Sequence, residues 1–136
     1  MDYKKLIAYR NTQNPFAQQL GIVVEEIGPG YARAVKTVTE KDLNPTARAH
    51  GGLYFTMADV AAGSASAASG WMAVTLNANY NYMRSAVMGD TLTAEAREIK
   101  TGRTVCVFDI RITDQNGTLL GTGTFTFYRL DQKIEL

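Results

Sequence analysis

The stretch HGGLYFTMADVAAGSASAASG occupies residues 50–70 of a chain of 136 residues. It is rich in Ala, contains Leu, Met and Phe but no proline, and ends in a glycine, which predicts a helix from His50 to about Ser69. Because small or apolar residues occur on almost every side of this helix, we expect it to be buried on most sides. Other parts of the chain must therefore wrap around it.

Strand-like runs lie on both sides of this helix in the sequence. After it, Met72, Val74, Leu76, Ala78, Tyr80 and Tyr82 alternate with Ala73, Thr75, Asn77, Asn79 and Asn81, the period-two pattern of a long, half-buried strand. Runs at 92–97, 103–113 and 118–128 follow turns at 88–90, 101–102 and 114–117. We expect these four strands to form an antiparallel series. Before the helix, the runs 22–27 and 31–39 form a hairpin across 28–30.

This order of elements predicts the fold class. Two strands, a long helix and about four strands make an α+β plan, with one long central helix wrapped by a curved antiparallel sheet of about six strands. A chain of 136 residues can bury a core of its own. We expect residues 1–136 to form one domain, with residues 1–20 as an N-terminal helical flap.

Composition argues against several classes of function. A net charge of +1 with scattered Lys and Arg leaves no basic stripe for nucleic acid. One histidine and one cysteine are too few for the usual zinc site, and no phosphate-binding loop, dinucleotide fingerprint or Gly-x-Ser-x-Gly motif occurs, so we expect neither metal nor cofactor. No apolar stretch suits a signal peptide or membrane span, and Cys106 has no partner for a disulfide, which favours a cytoplasmic location.

Several residues around the helix fit a core poorly. Asp59 is the helix's only charge, and it either lies on an exposed seam, bonds a backbone N–H, or acts as a catalytic carboxylate. His50 precedes Gly51 and Gly52 at the helix start, where free N–H groups and the helix dipole can stabilise an oxyanion. The glycines either admit a ligand or permit tight packing. Asn44 is either a turn residue or part of a site.

Polar residues also mark the strand after the helix. Thr75 and the row Asn77, Asn79 and Asn81 make one strand face unusually polar, which suits a solvated edge strand or a site. Arg84, Lys100 and Arg103 lie at strand ends and turns, where they either face water or bind phosphate. These residues taken singly leave the alternatives open.

Taken together, the residues resemble a known family. The pattern Asn44-x5-His50-Gly51-Gly52-x6-Asp59, followed by 79–84 (Asn-Tyr-Asn-Tyr-Met-Arg) and Gly89-Asp90, resembles hotdog-fold acyl-coenzyme A thioesterases of the phenylacetate-degradation (PaaI) type. The resemblance covers about residues 16–128. It implies an acyl-CoA substrate, and subunits that pair edge to edge as a homodimer, two of which often form a homotetramer.

The resemblance also implies roles for individual residues. Asp59 would be the general base or the nucleophile, and the Gly51 N–H would polarise the thioester carbonyl. Asn44 would hold the water, Thr75 would assist it, and His50 would orient the carbonyl and the leaving thiol. Relatives commonly have proline where Ser85 stands here, which puts the shape of that loop in question.

Substrate contacts are predicted at the same sites. Gly52 would allow close approach to the backbone, and the flap with Tyr54 and Phe55 would line the acyl pocket. Arg84 and Arg103 are candidates for binding the phosphates of coenzyme A, because the nucleotide end of coenzyme A carries several negative charges.

Helix geometry supports two subunits per site. His50 and Asp59 are nine residues apart, about 13.5 Å of rise and about two and a half turns, so their side chains point in opposite directions. One carbonyl can be served by both only if a symmetric dimer brings Asp59 of one chain to His50-Gly51 of the other.

Two other functions remain open at this point. A non-catalytic module that binds acyl-CoA or an aromatic ligand fits the same fold, although Asp59 together with Asn44 argues against it. An enoyl-CoA hydratase is the second alternative, but that group typically places its His and Asp differently.

Overall fold

In the computed structural model, which describes residues 1–136, three helices and six strands follow one another along the chain. The helices are α1 (Tyr3–Thr12), α2 (Pro15–Gln19) and α3 (Gly51–Ala67), and a short 3-10 turn covers Glu40–Asp42. The strands are β1 (Val23–Gly28), β2 (Tyr31–Thr37), β3 (Trp71–Tyr82), β4 (Thr91–Thr101), β5 (Val105–Thr113) and β6 (Leu119–Lys133). The α+β order expected from the sequence is confirmed.

The helix α3 is the centre of the fold. It packs against all six strands, and 11 of its 17 residues are buried, among them Met57, Ala58 and Ala61 with no exposed surface. Small side chains allow the sheet to approach the helix closely, and the buried apolar surface is the main source of stability. The prediction of a helix buried on most sides is confirmed.

This helix ends slightly earlier than expected. It stops at Ala67 rather than near Ser69, because the last turn tightens: Ser69 N–H bonds the Ser66 carbonyl at 3.1 Å and Gly70 N–H bonds the Ala67 carbonyl at 2.9 Å. Gly70 then takes a φ of +87°, which lets the chain turn directly into β3.

The sheet order differs from the expected series. All neighbours are antiparallel, but the order is β1-β2-β4-β5-β6-β3, so β3 pairs with β6 and not with β4. The reason is that α3 spans the sheet and delivers the chain to its far edge. The strand β4 is therefore left to pair with β2 and β5.

The strand β3 also departs from simple alternation. Its register with β6 shifts between Thr75 and Asn77, and the two buried partners Phe127 and Phe125 lie opposite Thr75 and Ala78. Such a bulge reverses which residues face the helix. Thr75 is thus on the helix side, and the prediction that it shares a polar face with Asn77 is wrong.

Burial along β3 is likewise lower than predicted. Val74 and Leu76 are 50% and 59% exposed, because they flank Thr75 in an edge strand and so face away from α3. The expectation of a half-buried strand is therefore wrong at Val74 and Leu76, whereas Ala78 and Tyr80 of the same predicted face pack against the core.

The N-terminal segment packs across the helix and β1. Asn11 and Val24 exchange two hydrogen bonds, of 2.9 and 2.8 Å, and Leu6 is fully buried. Asn14 caps α2 by accepting the Ala17 N–H. These contacts hold α1 over α3, and no helix of the chain is long and apolar enough to cross a membrane.

Gly123→Ala should lower the free energy of unfolding by about 1–3 kcal/mol. A methyl group at Gly123 would collide with the Asn79 carbonyl oxygen in the backbone of β3, so the β3–β6 pair would have to move apart. Urea unfolding at one fixed protein concentration measures the change.

Gly28→Ala is the matched control, because a methyl group there would meet no atom within 4 Å. Its effect should stay within about 0.5 kcal/mol. Equal stability of the two variants would show that β3 does not lie this close to β6.

Candidate active site

The start of α3 presents one free backbone donor. His50 is the N-cap, and its Nδ1 accepts the Gly52 N–H at 2.8 Å, while the Leu53 N–H bonds the His50 carbonyl at 2.9 Å. The Gly51 N–H has no partner within the chain. It lies at the positive end of the helix dipole, where a developing negative charge is stabilised.

The capping bond determines which nitrogen of the neutral His50 ring carries the proton. Because Nδ1 accepts a hydrogen bond, the neutral ring carries its proton on Nε2. Only Nε2–H is then free to contact a ligand. The cap also occupies the Gly52 N–H, so Gly52 has no free donor, and a Cβ on Gly52 would lie 3.1 Å from His50 Nδ1.

The loop before the helix is held by polar contacts. The Asn44 Oδ1 accepts hydrogen bonds from Thr46 N–H at 2.9 Å, from Thr46 Oγ1 at 2.7 Å and from Arg48 N–H at 3.2 Å. Asn44 is thus a turn residue, which is one of the two roles that the sequence suggested for it. Only its Nδ2 donors remain for any other contact.

A buried ion pair anchors the same loop. Lys36 Nζ lies 3.3 Å from Asp42 Oδ2, with both side chains largely buried, and Asp42 also accepts hydrogen bonds from Thr39. The Asp42 carbonyl receives the His50 N–H at 2.7 Å. The position of the N-cap is therefore tied to β2 by a charged contact shielded from water.

A groove at the start of α3 brings several predicted residues together, and these form the first cluster of the candidate site. Its volume is about 230 Å³, and Asn44, Gly51, Tyr54, Tyr82, Arg84 and Ser85 are among its lining residues. Tyr54 is buried, and its hydroxyl accepts the Ala86 N–H at 2.8 Å, so it forms a wall of the groove.

Tyr82 is a groove residue that the sequence did not single out. Its hydroxyl donates to the Gly51 carbonyl at 2.8 Å, and its ring lies 3.3 Å from the point where a Cβ on Gly51 would be. Burial raises the pKa of Tyr82, so the hydroxyl keeps its proton and remains a donor at neutral pH. Its one signal in the sequence is its place directly after the row Asn77, Asn79 and Asn81.

Asp59 and Thr75 form a second cluster. Thr75 Oγ1 donates to Asp59 Oδ1 at 2.6 Å across 16 positions of sequence, and Asp59 is half-buried. Both line a cavity of about 350 Å³ between α1, α3 and β3. Asp59 therefore bonds a side-chain hydroxyl rather than a backbone N–H, and its other oxygen has no partner in the chain.

Arg10 enters this cavity from the flap, and sequence reasoning missed it. Its Nε donates to Ser64 Oγ at 3.0 Å, and Ser64 has no exposed surface. Burial lowers the pKa of the guanidinium, and the negative charge of Asp59 acts in the opposite direction. The only sequence signal is Gly63, one turn after Asp59, where a side chain would collide with Arg10.

The remaining predicted residues lie elsewhere. Phe55 is 38% exposed and packs on Phe125 with ring centroids 5.1 Å apart, and neither it nor Tyr54 lines the cavity beside Asp59. Arg103 lies in the β4–β5 turn, whose flanking residues Thr101 and Cys106 adjoin the C-terminal end of α3. Arg84 and Arg103 are therefore at opposite ends of the helix.

A family model described as the thioesterase superfamily matches residues 47–120, more than half of the chain. The chain belongs to this superfamily. The matched segment contains the whole of α3 and β3, and hence both clusters apart from Asn44 and Arg10. The observed fold is the hotdog fold, and the protein is a thioester hydrolase.

Individual relatives show which type of thioesterase within the superfamily this chain is. Acyl-coenzyme A thioesterase PaaI of Escherichia coli K12 is 36% identical over 99 residues, which are 73% of this chain and 71% of that protein. The solved E. coli PaaI structure has a TM-score of 0.89 at 31% identity and covers 95% of this chain and 94% of its own. This thioesterase is therefore of the PaaI type.

Two streptococcal structures are also similar. A Streptococcus mutans UA159 protein bound to acetyl CoA has a TM-score of 0.79 at 33% identity, covering 83% of this chain and 91% of that one. The hypothetical thioesterase of Streptococcus pneumoniae TIGR4, with an aspartate replaced by alanine, has a TM-score of 0.78 at 32% identity and covers 82% and 92%. A second structure of the same protein has a threonine replaced by alanine. That threonine is 16 positions after the aspartate, and Thr75 here is likewise 16 positions after Asp59.

His50→Ala should lower the free energy of unfolding by about 1 kcal/mol, whereas His50→Asn should retain most of the stability. Asparagine is a good N-cap and can accept the Gly52 N–H that His50 Nδ1 accepts. Urea unfolding of the three proteins measures the difference. If His50→Asn is as unstable as His50→Ala, the capping bond does not stabilise the helix start.

Proposed function

We propose that the protein hydrolyses acyl-CoA thioesters to a carboxylic acid and free CoA, at sites shared between two copies of the chain. The observation that carries this proposal is the division of the site residues along one helix. The unpaired Gly51 N–H lies at the start of α3, and the Asp59 carboxylate, which Thr75 bonds, lies about 12 Å and about two turns further along the helix. Neither half performs hydrolysis alone.

The chemistry assigned to the two halves is complementary. With Asp59 as general base, the carboxylate removes a proton from water, and the resulting hydroxide attacks the thioester carbon. The Gly51 N–H stabilises the oxyanion that forms. The C–S bond then breaks, and the proton held by Asp59 returns to the CoA thiolate.

With Asp59 as nucleophile, the first product is an acyl–aspartyl anhydride and CoA thiolate, and water then hydrolyses the anhydride. Both routes need an ionised carboxylate at the same position. Thr75 leaves one Asp59 oxygen free for either role, because its hydroxyl bonds only Oδ1.

The neighbouring side chains have supporting roles in this proposal. Asn44 Nδ2 would hold the water, since Asn44 Oδ1 is already occupied within the loop. His50 Nε2–H would face the carbonyl and the leaving thiol, while the opposite side of the ring keeps the helix cap. Tyr82 would keep the Gly51 peptide in place.

Coenzyme A would bind at the groove by the helix start. The S. mutans relative is bound to acetyl CoA, and Arg84 lines the groove together with Gly51. Gly52 and Tyr54 would bound the path of the thioester, and Phe55, partly exposed on α3, would face the acyl group across the interface. Arg103 would serve a site only by reaching it from the second chain.

The edge of β3 is the proposed contact between subunits. One side of this long strand has no partner strand, and Val74 and Leu76 expose apolar side chains along it. Unpaired edges with exposed apolar residues favour pairing with another strand. Pairing of two β3 strands gives an isologous homodimer with two equivalent sites, and two such dimers give a homotetramer.

Asp59→Asn should lower kcat for thioester hydrolysis by about 10²-fold or more while the fold is retained. The amide has the shape of the carboxylate but is neither a base nor a nucleophile. Release of free thiol from acyl-CoA measures the rate, and circular dichroism measures the fold. Asp109→Asn is the control, because Asp109 is a partly exposed carboxylate in β5 that lines neither the groove nor the cavity.

A folded Asp59→Asn protein with parental activity would contradict the proposed role of Asp59. A parent that hydrates enoyl-CoA but releases no thiol would favour the hydratase alternative, and one that only binds acyl-CoA would favour the binding module.

A mixture of Asp59→Asn and His50→Ala proteins should regain activity when subunits exchange. Each mixed dimer has one unaltered site, which takes Asp59 from one chain and His50 from the other. Equal amounts give about half mixed dimers, so the rate should approach roughly a quarter of the parental rate. If His50→Ala alone stays active, Asn44→Ala replaces it.

Mass spectrometry establishes whether subunits have exchanged. If exchange is complete and activity equals the sum of the two variants, each site is built from one chain and the shared-site proposal is wrong.

A further inference from the structure

Arg10 is a partly buried arginine that lines the cavity beside Asp59, and its guanidinium has one hydrogen-bond partner in the chain. Its Nε bonds Ser64, but none of the five ion pairs in the chain includes Arg10, and no other hydrogen bond involves its guanidinium. A partly buried guanidinium can bond a carboxylate with the terminal N–H groups that have no partner in the chain. Its terminal N–H groups are thus available to a ligand in the cavity.

Other polar groups at this end of the cavity add donors. Asn14 lines the cavity and spends its Oδ1 on the Ala17 N–H, so its Nδ2 donors remain. Gln13, also at the cavity wall, carries a further amide group. The flap end of the cavity is therefore richer in donors than in acceptors.

The rise of α3 between Asp59 and Gly63 gives an approximate distance from Asp59 to Arg10. One terminal nitrogen of Arg10 lies 2.9 Å from the point where a Cβ on Gly63 would be, and Gly63 is four residues after Asp59. Four residues of helix rise about 6 Å. A thioester carbon beside Asp59 and a group bonded to Arg10 would be separated by about that distance, or by about two to four methylene groups with bonds of about 1.5 Å.

We infer that this cavity binds the far end of the acyl group, and that the preferred acyl group ends in a carboxylate held by Arg10. The substrate class is then the CoA monothioester of a short dicarboxylic acid, with two to four methylene groups between the two carbonyl carbons. This inference rests on the proposed function, because it takes Asp59 as the point of attack.

The charges favour a carboxylate over an unsubstituted chain. A carboxylate can accept two parallel hydrogen bonds from a guanidinium, the strongest geometry open to Arg10. A plain alkyl chain would exclude water from the same N–H groups and give nothing in return. Asp59 does not form an ion pair with Arg10, because no Asp59 oxygen lies within 4.0 Å of an Arg10 nitrogen. In the buried pair of Lys36 and Asp42, by contrast, the charged atoms are 3.3 Å apart.

The test compares two thioesters that differ only at the far end. Glutaryl-CoA and pentanoyl-CoA share three methylene groups, and one ends in a carboxylate where the other ends in a methyl group. The parent should prefer glutaryl-CoA in kcat/KM by at least about tenfold, and Arg10→Met should reduce that ratio by about 10- to 100-fold. Arg10→Lys, which keeps the charge but loses the fork, should give an intermediate ratio.

Arg97→Met is the matched control. Arg97 is 66% exposed in β4, and its loss should leave the ratio of the two substrates unchanged. Circular dichroism of all variants checks the fold, and Arg10→Lys keeps the test valid if Arg10→Met does not fold. A parental preference for pentanoyl-CoA, or a ratio unaffected at Arg10, would overturn the inference while thiol release still supports hydrolysis.

Binding separates failure of this inference from failure of the proposed function. In Asp59→Asn protein, calorimetry measures the dissociation constants of both thioesters without turnover. Tighter binding of glutaryl-CoA that disappears in the Asp59→Asn, Arg10→Met double variant supports the subsite even if the parent releases no thiol. Equal binding of the two thioesters, or a preference independent of Arg10, overturns it.

Discussion

The burial of α3 inside the sheet is the constraint on which the rest of the structure depends. With most of its residues buried, the helix leaves one partly exposed stripe that includes Gly52, Thr56, Asp59 and Gly63. Polar chemistry on this helix is possible only along that stripe or at the helix ends. The two clusters of the candidate site occupy these places, and the flap and β3 cover the stripe around Asp59.

Local signals explain how much of the fold could be predicted from the sequence. The helix is specified by its own composition, and the β5–β6 hairpin by its turn, where Gly117 takes a φ of +75°. The place of β3 beside β6 has no local signal, because it depends on where the helix delivers the chain. The bulge after Thr75 is also invisible to a period-two pattern, and it places Thr75 on the same face of β3 as Ala78 rather than Asn77.

The candidate site shows the same division. Asp59 and Gly51 stand out in the sequence, since one is a lone charge in a buried helix and the other opens it. Arg10 and Tyr82 do not, because each contacts the helix only after folding, across 54 and 31 positions of sequence. Their surroundings in the sequence are ordinary, and only the packing of α1 and β3 on α3 gives them a partner.

The contact between Tyr82 and Gly51 also constrains how this protein can evolve. Any side chain on residue 51 would press on the ring of Tyr82, whose hydroxyl holds the carbonyl of that same residue. A side chain at residue 51 would shift the ring and strain the hydrogen bond from its hydroxyl, whereas loss of the tyrosine removes that bond altogether. Each single step is disfavoured in the presence of the other residue, so the two positions are expected to change together among descendants of this chain.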